Sequence, residues 1–268
     1  MLTASTAMYI SKWSPEKGSG HLFRPDLLGI PTSSVIFGVA VYGEQKTPPH
    51  AHADSDEWFL VVGGKGDIET DGISNIVTPG YIVYTPQYAW HAFQGIGGPF
   101  RILFGIYGWR SYIHPRENEK VEPVKGRNSI ILSLREGRAE AQDGKLSITL
   151  LEPLNVLRNN CLGVNYCMYA PGTSVEAHAH DGLEQVTYVA SGTVDVQVGE
   201  QEMRLSKDEA VYIPLHLVHS LENHGGEPAA TVNCYYACRQ LWERNIEAFL
   251  TEIDQNAEEA QLRYPSEI

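Results

Sequence analysis

The sequence PHAHADSDEWFLVVGGKG, residues 49–66, decides how the rest of this chain is organised. His50 and His52 are two residues apart, which places both side chains on one face of a β-strand. Glu57 follows before an apolar run that ends in glycines, and His91 arrives later within TPQYAWHAF. Three imidazoles and one carboxylate form a donor set that suits a divalent first-row metal ion. These four side chains therefore predict a metal site.

The same pattern occurs a second time in the same register. Adding 128 to each residue number gives a second set without any insertion or deletion: His178, His180, Gln185 and His219. The shift also carries Gly64 onto Gly192 and Pro86 onto Pro214. Two such constellations in one register indicate an internal duplication, so we expect two copies of one metal-site unit.

The second copy lacks a carboxylate at the position that matches Glu57. Gln185 takes that place, and Glu184 stands one residue earlier. Because side chains alternate along a strand, only one of the two faces the interior, and the ungapped repeat favours Gln185. Glu184 is a candidate base for redox-neutral chemistry, and so is His216, which precedes His219 by three residues.

Alternation along the strands also predicts what surrounds the two sites. Phe59 and Phe93 share the parity of the first-site ligands and are candidates for the wall of the first pocket. Thr187 and Leu221 hold the matching places in the second copy. Trp58 has the opposite parity, so we expect it to pack in a core.

Short apolar runs separated by turn residues fill both halves, without any alternation of strands and helices. This pattern predicts an all-β barrel or sandwich. The last part of the chain differs, because apolar residues at helical spacing without glycine or proline predict an amphipathic helix. The chain is therefore divided into an N-terminal arm (1–33), a first barrel (34–108), a charged connector (109–128), a second barrel (129–238) and a C-terminal helix (239–264).

Charge and composition narrow the expected partners. The chain has 268 residues and a formal net charge of −13, so we expect neither nucleic acid nor an anionic membrane as a partner. No stretch reaches the roughly 18 apolar residues of a membrane span, and we read no signal peptide. The four cysteines lie in the second half without a CxxC pair, which favours buried free thiols in a reduced, cytoplasmic protein. The arm and the tail helix suggest a homodimer.

The two blocks resemble the motifs of the cupin superfamily. The first cupin motif, G(X)5HXH(X)3,4E(X)6G, is matched at four positions: His50, His52, Glu57 and Gly64. The second motif, G(X)5PXG(X)2H(X)3N, is matched at three positions: Gly80, Pro86 and His91. The resemblance extends over both halves but leaves out the arm, the connector and the tail helix.

Some positions depart from the cupin pattern. Tyr88 and His216 stand where the inner glycine of the second motif is usual, and Asp208 stands where its leading glycine is usual. None of these three residues is at a metal-ligand position, so the departures concern the conformation of the local turns more than the metal site. Gln185 replaces the acid of the first motif, and the shorter spacing seen in the family would admit Glu184 as the ligand instead.

The resemblance implies two tandem jelly-roll-type β-barrels, each with a metal centre. It leaves the reaction open, because cupins serve as dioxygenases, decarboxylases, isomerases, lyases and binding proteins. The favoured hypothesis is a non-haem Fe(II) dioxygenase that acts on a small, metal-chelating organic substrate. The second is a redox-neutral isomerase, decarboxylase or lyase that uses Mn, Zn or Ni, and the third is a non-catalytic small-molecule binding protein. Ligand type alone also admits Cu.

Overall fold

The computed structural model describes residues 10–12, 19–23, 35–52, 55–86, 88–108, 129–151, 162–180 and 182–237. Within these ranges the chain forms twenty β-strands and no helix, which confirms the predicted all-β class. The C-terminal helix predicted for residues 239–264 lies outside the described residues, as do the connector and most of the arm.

The strands fall into two series that follow the repeat. The first series is β1 (Ile10–Lys12), β2 (Gly20–Phe23), β3 (Val35–Tyr42), β4 (Ser55–Gly63), β5 (Gly66–Thr70), β6 (Ile73–Val77), β7 (Tyr81–Thr85), β8 (His91–Gly95) and β9 (Phe100–Gly108). The second series is β10 (Ile130–Ser133), β11 (Arg138–Gln142), β12 (Lys145–Leu151), β13 (Leu162–Tyr169), β14 (Ser174–His178), β15 (Leu183–Ser191), β16 (Thr193–Val198), β17 (Gln201–Ser206), β18 (Glu209–Ile213), β19 (His219–Glu222) and β20 (Ala229–Ala237).

Each half contains one large and one small antiparallel sheet. In the first half the strand orders are β10-β7-β4-β9-β3-β2 and β6-β5-β8. In the second half they are β1-β18-β15-β20-β13-β12-β11 and β14-β19-β16-β17. None of these sheets closes on itself within the described residues, so each half is a pair of open sheets in the cupin arrangement.

Two short strands join the large sheet of the opposite half. β1, from the N-terminal arm, pairs with β18, and β10, which follows the connector, pairs with β7. β10 thus lies in the range assigned to the second barrel but belongs to the sheet of the first. Both strands cover a position that would otherwise be a sheet edge with unpaired backbone groups.

Three apolar cores follow from the alternation along the strands. Phe59 packs with Ile68 and other residues between the two sheets of the first half, and a corresponding core fills the second half. Trp58, one residue earlier, faces the other way and joins a third core between the two large sheets. β4 is therefore buried on both faces, and the predicted core position of Trp58 is confirmed.

The turns that depart from the glycine pattern keep the conformation that glycine favours. Tyr88 and His216 have φ of 64° and 60°, and Asp208 has φ of 69°. The backbone N–H of Tyr88 donates to the carbonyl of His52 at 2.7 Å, and that of His216 donates to His180 at 3.2 Å. Each of these two turns is therefore hydrogen-bonded to the segment that carries a predicted metal ligand, although the turn residue is not glycine. A left-handed conformation costs such a residue about 1 kcal/mol.

Two further sequence expectations concern thiols and membranes. Cys167 and Cys234 are buried free thiols, as predicted, whereas Cys161 and Cys238 lie outside the described residues. Among the residues that the structure describes, no helix has the length and hydrophobicity of a membrane span.

Candidate metal centres

The first centre is assembled at the junction of the two sheets of the first half. His50 and His52 lie just before β4, Glu57 lies in β4, and His91 begins β8. Reciprocal backbone hydrogen bonds of 3.0 and 2.8 Å join His50 and His91, which sets their rings side by side with centroids 4.2 Å apart. Residues 41 positions apart in the sequence are thereby brought into one cluster.

The donor atoms of this cluster converge. One nitrogen or oxygen from each of the four side chains lies within 4.8 Å of the others. The Nε2 atoms of His52 and His91 lie 2.9 and 3.2 Å from Glu57 Oε2. Although these distances are short, neither His91 Nε2 nor Glu57 Oε2 makes a hydrogen bond with acceptable angles. Buried nitrogen and oxygen donors that converge on one point in this way fit a cation between them.

The charge states of the first centre also suit a cation. Burial lowers the pKa of His50 to about 4, and the neighbouring His91 adds to this effect. Burial alone would raise the pKa of Glu57, but the imidazoles of His52 and His91 outweigh it and hold that pKa at about 2. At neutral pH the centre therefore offers a neutral His50 and an ionised Glu57.

Aromatic side chains close around the first centre. Phe59 and Phe93 meet edge to face with centroids 4.8 Å apart, and Phe59 lies 5.5 Å from the ring of His91. Tyr42 stacks on Phe93 at 4.6 Å. Phe59 and Phe93 thus form the wall that their strand parity indicated, and both are almost completely buried.

The second centre repeats this arrangement. His178 ends β14, His180 follows it, and His219 begins β19. Their ring centroids are 4.3, 5.0 and 5.1 Å apart, and one nitrogen from each ring lies within 4.8 Å of the others. His219 Nδ1 donates to the carbonyl of Leu217 at 3.0 Å, which leaves the lone pair of Nε2 for the centre. Nε2 itself is buried without a hydrogen-bond partner, and burial lowers the pKa of His219 to about 4.

Gln185 presents its oxygen to the histidines. Its Oε1 lies 3.1 Å from His180 Nε2, while its Nε2 donates to Thr187 Oγ1 at 2.8 Å. Thr187 Oγ1 in turn donates to Asn233 Oδ1 at 2.9 Å. Because the amide nitrogen is engaged by Thr187, the carbonyl oxygen is the atom directed at the centre. Gln185 therefore occupies the place of a fourth ligand.

Glu184 lies on the opposite face of β15. Its side chain is buried between the halves, where Tyr212 Oη donates to Glu184 Oε1 at 3.0 Å. Asp56 and Tyr84 form the equivalent pair in the first half at 2.8 Å. The alternation that directs Gln185 inwards directs Glu184 away, so the Glu184 carboxylate lies apart from the histidines of the second centre. His216 is an exposed turn residue next to His180. Neither Glu184 nor His216 lines the cavity that is described in the next paragraph.

A cavity of about 70 Å³ lies beside the second centre. His178, His219 and Gln185 form part of its wall, together with Thr187 and Leu221, the two predicted wall positions. Sequence reasoning did not single out the other polar groups of this wall: Lys145, Ser147, Asn165, Tyr169, Ser220, Asn233 and Tyr235.

The pairing of the last strands explains why the two interiors differ. Phe59 pairs with Phe104 in the first half, and Thr187 pairs with Asn233 in the second. Two large apolar side chains are thus replaced by two small polar ones, which opens the cavity. The offset between halves is 129 residues at this strand rather than 128, and a repeat comparison that allowed one insertion would have revealed the difference.

Comparison with known protein families places the pattern described as "Cupin domain" on residues 39–106 and 165–235. The chain is 38% identical over 63 residues to the tetracenomycin polyketide synthase protein TcmJ of Streptomyces glaucescens. It is 29% identical over 85 residues to the polyketide synthase CurC of Streptomyces cyaneus. These matches take in 24% and 31% of the chain, and the matched part spans about half the length of each relative (42% and 54%).

Among solved structures, the chain is similar to a deletion mutant of the Bacillus subtilis oxalate decarboxylase OxdC. The TM-score is 0.66 at 15% identity, over 88% of this chain and 78% of the other. A salicylate 1,2-dioxygenase from Pseudaminobacter salicylatoxidans gives a TM-score of 0.66 at 16% identity, over 87% and 85% of the two chains. At these identities the likeness concerns the fold alone.

Proposed function

This chain belongs to the cupin domain family, and we propose that it is an enzyme whose metal-dependent reaction takes place at the second centre. The observation that carries the proposal is the cavity, which opens directly onto His178, His219 and Gln185. The first centre is enclosed by Phe59 and Phe93 instead, and we assign it a structural role. A metal site used in catalysis needs space for a substrate beside the ion.

The reaction that we propose is the dioxygenation of a small, metal-chelating organic substrate. An Fe(II) ion held by the three histidines and Gln185 would supply a Lewis-acidic centre that reacts with O2. The chain's own residues prepare this site. Burial lowers the pKa of His180 and brings that of His219 to about 4, which favours the neutral imidazole that binds metal, and Thr187 fixes the direction of the Gln185 amide. Val196, Ile213 and Leu221 supply the apolar part of the cavity wall.

One observation favours redox-neutral isomerase, decarboxylase or lyase chemistry as the second candidate. None of the four donors of the second centre is a carboxylate, whereas Glu57 brings a negative charge to the first. An ion at the second centre would keep its full charge and act as the stronger Lewis acid. Since Glu184 and His216 do not line the cavity, a proton would be handled by Tyr235 or Lys145, which do.

The reaction class is tested with Fe(II)-reconstituted protein and a panel of phenolic, enol and keto-acid substrates. The proposal predicts O2 consumption coupled to loss of substrate, and no turnover under strict anaerobiosis. Anaerobic turnover with Fe, Mn, Zn or Ni would instead establish the redox-neutral candidate. Absence of turnover under both conditions, with both centres loaded, contradicts an enzymatic function and favours a binding protein.

The assignment of the reaction to the second centre is tested by giving the second half two side chains that occur at the paired positions of the first half. The double variant Thr187→Phe, Asn233→Phe fills the cavity with the side chains that β4 and β9 carry at the paired positions. We expect turnover to fall by about a hundredfold, because the substrate no longer fits, while circular dichroism remains that of a folded β-protein. Turnover that survives in a folded double variant would place the reaction elsewhere.

A further inference from the structure

The charge of the second-half cavity is unusual for this protein. The chain carries 33 acidic residues and a net charge of −13. Yet the sixteen residues that line the cavity include one lysine and no aspartate or glutamate. In an acidic protein, a cavity whose described lining residues include a lysine and no carboxylate is suited to an anion.

Lys145 supplies the positive side chain of this wall. It is half-buried at the start of β12, directly after the turn at Asp143 and Gly144, and it pairs with Tyr169 of β13. Among the described residues no carboxylate forms an ion pair with it, although other lysine, arginine and histidine side chains do form such pairs there. Because Lys145 lines the cavity, an anionic ligand there would lie beside a lysine side chain.

Hydrogen-bond donors accompany Lys145 in the same wall. The ring of Tyr235 lies edge-on to that of His180, with centroids 5.4 Å apart. The phenol hydroxyl of Tyr235 is a hydrogen-bond donor. Ser147 and Asn165 lie on the same inward side of the sheet and add further polar groups. In the first half the core beside the centre contains Phe59, Phe93 and Phe104 instead.

We infer that the second-half cavity binds a small organic anion with two acidic groups, one directed at the His178–His180–His219–Gln185 centre and the other paired with Lys145. This inference rests on the proposed function, because it takes the second centre to hold a divalent ion. The ion attracts one group, and the ammonium selects ligands that carry a second negative charge. Lys145 is thereby a specificity-determining residue.

The experiment measures binding without turnover. Protein loaded with Zn(II), which has no redox chemistry, is titrated calorimetrically with oxalate, malonate and succinate, and with the monoamide of each acid. Each monoamide keeps the length of its parent but loses one negative charge. We expect at least one diacid to bind about tenfold more tightly than its monoamide.

Variants at two lysines complete the test. Lys145→Met should reduce the preference for the diacid to less than about twofold, and Lys145→Arg should retain it. Lys207→Met, at an exposed lysine outside the cavity, should leave it unchanged. A preference that persists in a folded Lys145→Met variant, or the absence of binding by every diacid, overturns the inference. Diacid preference without any turnover would contradict the proposed function alone, whereas turnover without that preference would contradict this inference alone.

Discussion

In each centre the neighbouring side chains determine the state of the fourth donor: the ionisation of Glu57 in the first and the orientation of Gln185 in the second. Glu57 and Gln185 occupy equivalent places, one residue after a buried acid that faces the other half. The ionised state of Glu57 is set by His52 and His91, which outweigh the effect of burial on its pKa. Gln185 has no charge to set, and its orientation depends on a hydrogen bond to Thr187.

Removing that hydrogen bond should weaken the second centre selectively. In the variant Thr187→Val the amide nitrogen of Gln185 loses its acceptor, so the carbonyl oxygen is no longer held towards the histidines. We expect the affinity of the second centre for Zn(II) to fall by about tenfold, the low end of the effect of groups that orient metal ligands. Titration of metal-free protein with Zn(II) measures both centres, and the first serves as the internal control. Equal affinities in wild type and variant would contradict this role of Thr187.

The lowered pKa of His50 should make the stability of the metal-free protein depend on pH. Burial lowers the folded-state pKa of His50 from 6.5 to about 4, so between these values the unfolded chain binds more protons at this site than the folded chain does. Stability should therefore rise with pH from about 4 to 6.5, by roughly 1–3 kcal/mol from this residue. The non-titrating variant His50→Gln should flatten that rise. Urea midpoints measured in EDTA between pH 4 and 7 test this, and identical pH profiles for the two proteins would refute it.

At the scale of the strands, β4 and β9 each contribute to two cores, one within the first half and one between the halves. The N–H of Trp58 donates to Tyr236 Oη at 3.3 Å across the interface between the halves. Gly105 of β9 lies against this contact, and a Cβ atom there would come within 3.0 Å of both Trp58 Nε1 and Tyr236 Oη. The glycine is thus required by the close approach of the two large sheets.

Substitution of this glycine should loosen the contact between the halves. We expect Gly105→Ala to lower the free energy of unfolding by about 1–3 kcal/mol, the usual cost of overfilling a packed core. Gly43→Ala is the matched control, since nothing lies within 4 Å of the added methyl group there. Thermal unfolding followed by tryptophan fluorescence compares the two variants. A Gly105→Ala protein as stable as Gly43→Ala would show that the sheets do not approach as closely as described.

The sequence was most informative where spacing alone determines geometry. Two histidines at i and i+2, a repeat of 128 residues and strand alternation were enough to predict the histidine clusters and the inward side of Gln185. The exchange of β1 and β10 between the large sheets was not predictable, because the pairing of three- or four-residue strands depends on tertiary contacts rather than on their own pattern. Lys145 was missed for a related reason, as it enters the cavity from a strand outside both cupin motifs.

At the scale of the whole molecule, duplication has given two halves of one fold with different interiors. The large sheets pack back to back through Trp58 and Tyr236, so the two centres lie on opposite sides of a shared core. Phenylalanines fill the first interior, whereas Thr187 and Asn233 leave space in the second. One half is therefore suited to hold an ion for stability and the other to present an ion to a ligand.

The most direct test of this description is the number of metal ions per chain. Elemental analysis of purified, metal-reconstituted protein should give two ions for the wild type. The variants His50→Ala, His52→Ala and His178→Ala, His180→Ala, each made as a pair, should retain one ion apiece, since each pair removes two ligands from a single centre. Two ions bound in either double variant, or none in the wild type, would contradict the existence of the two centres.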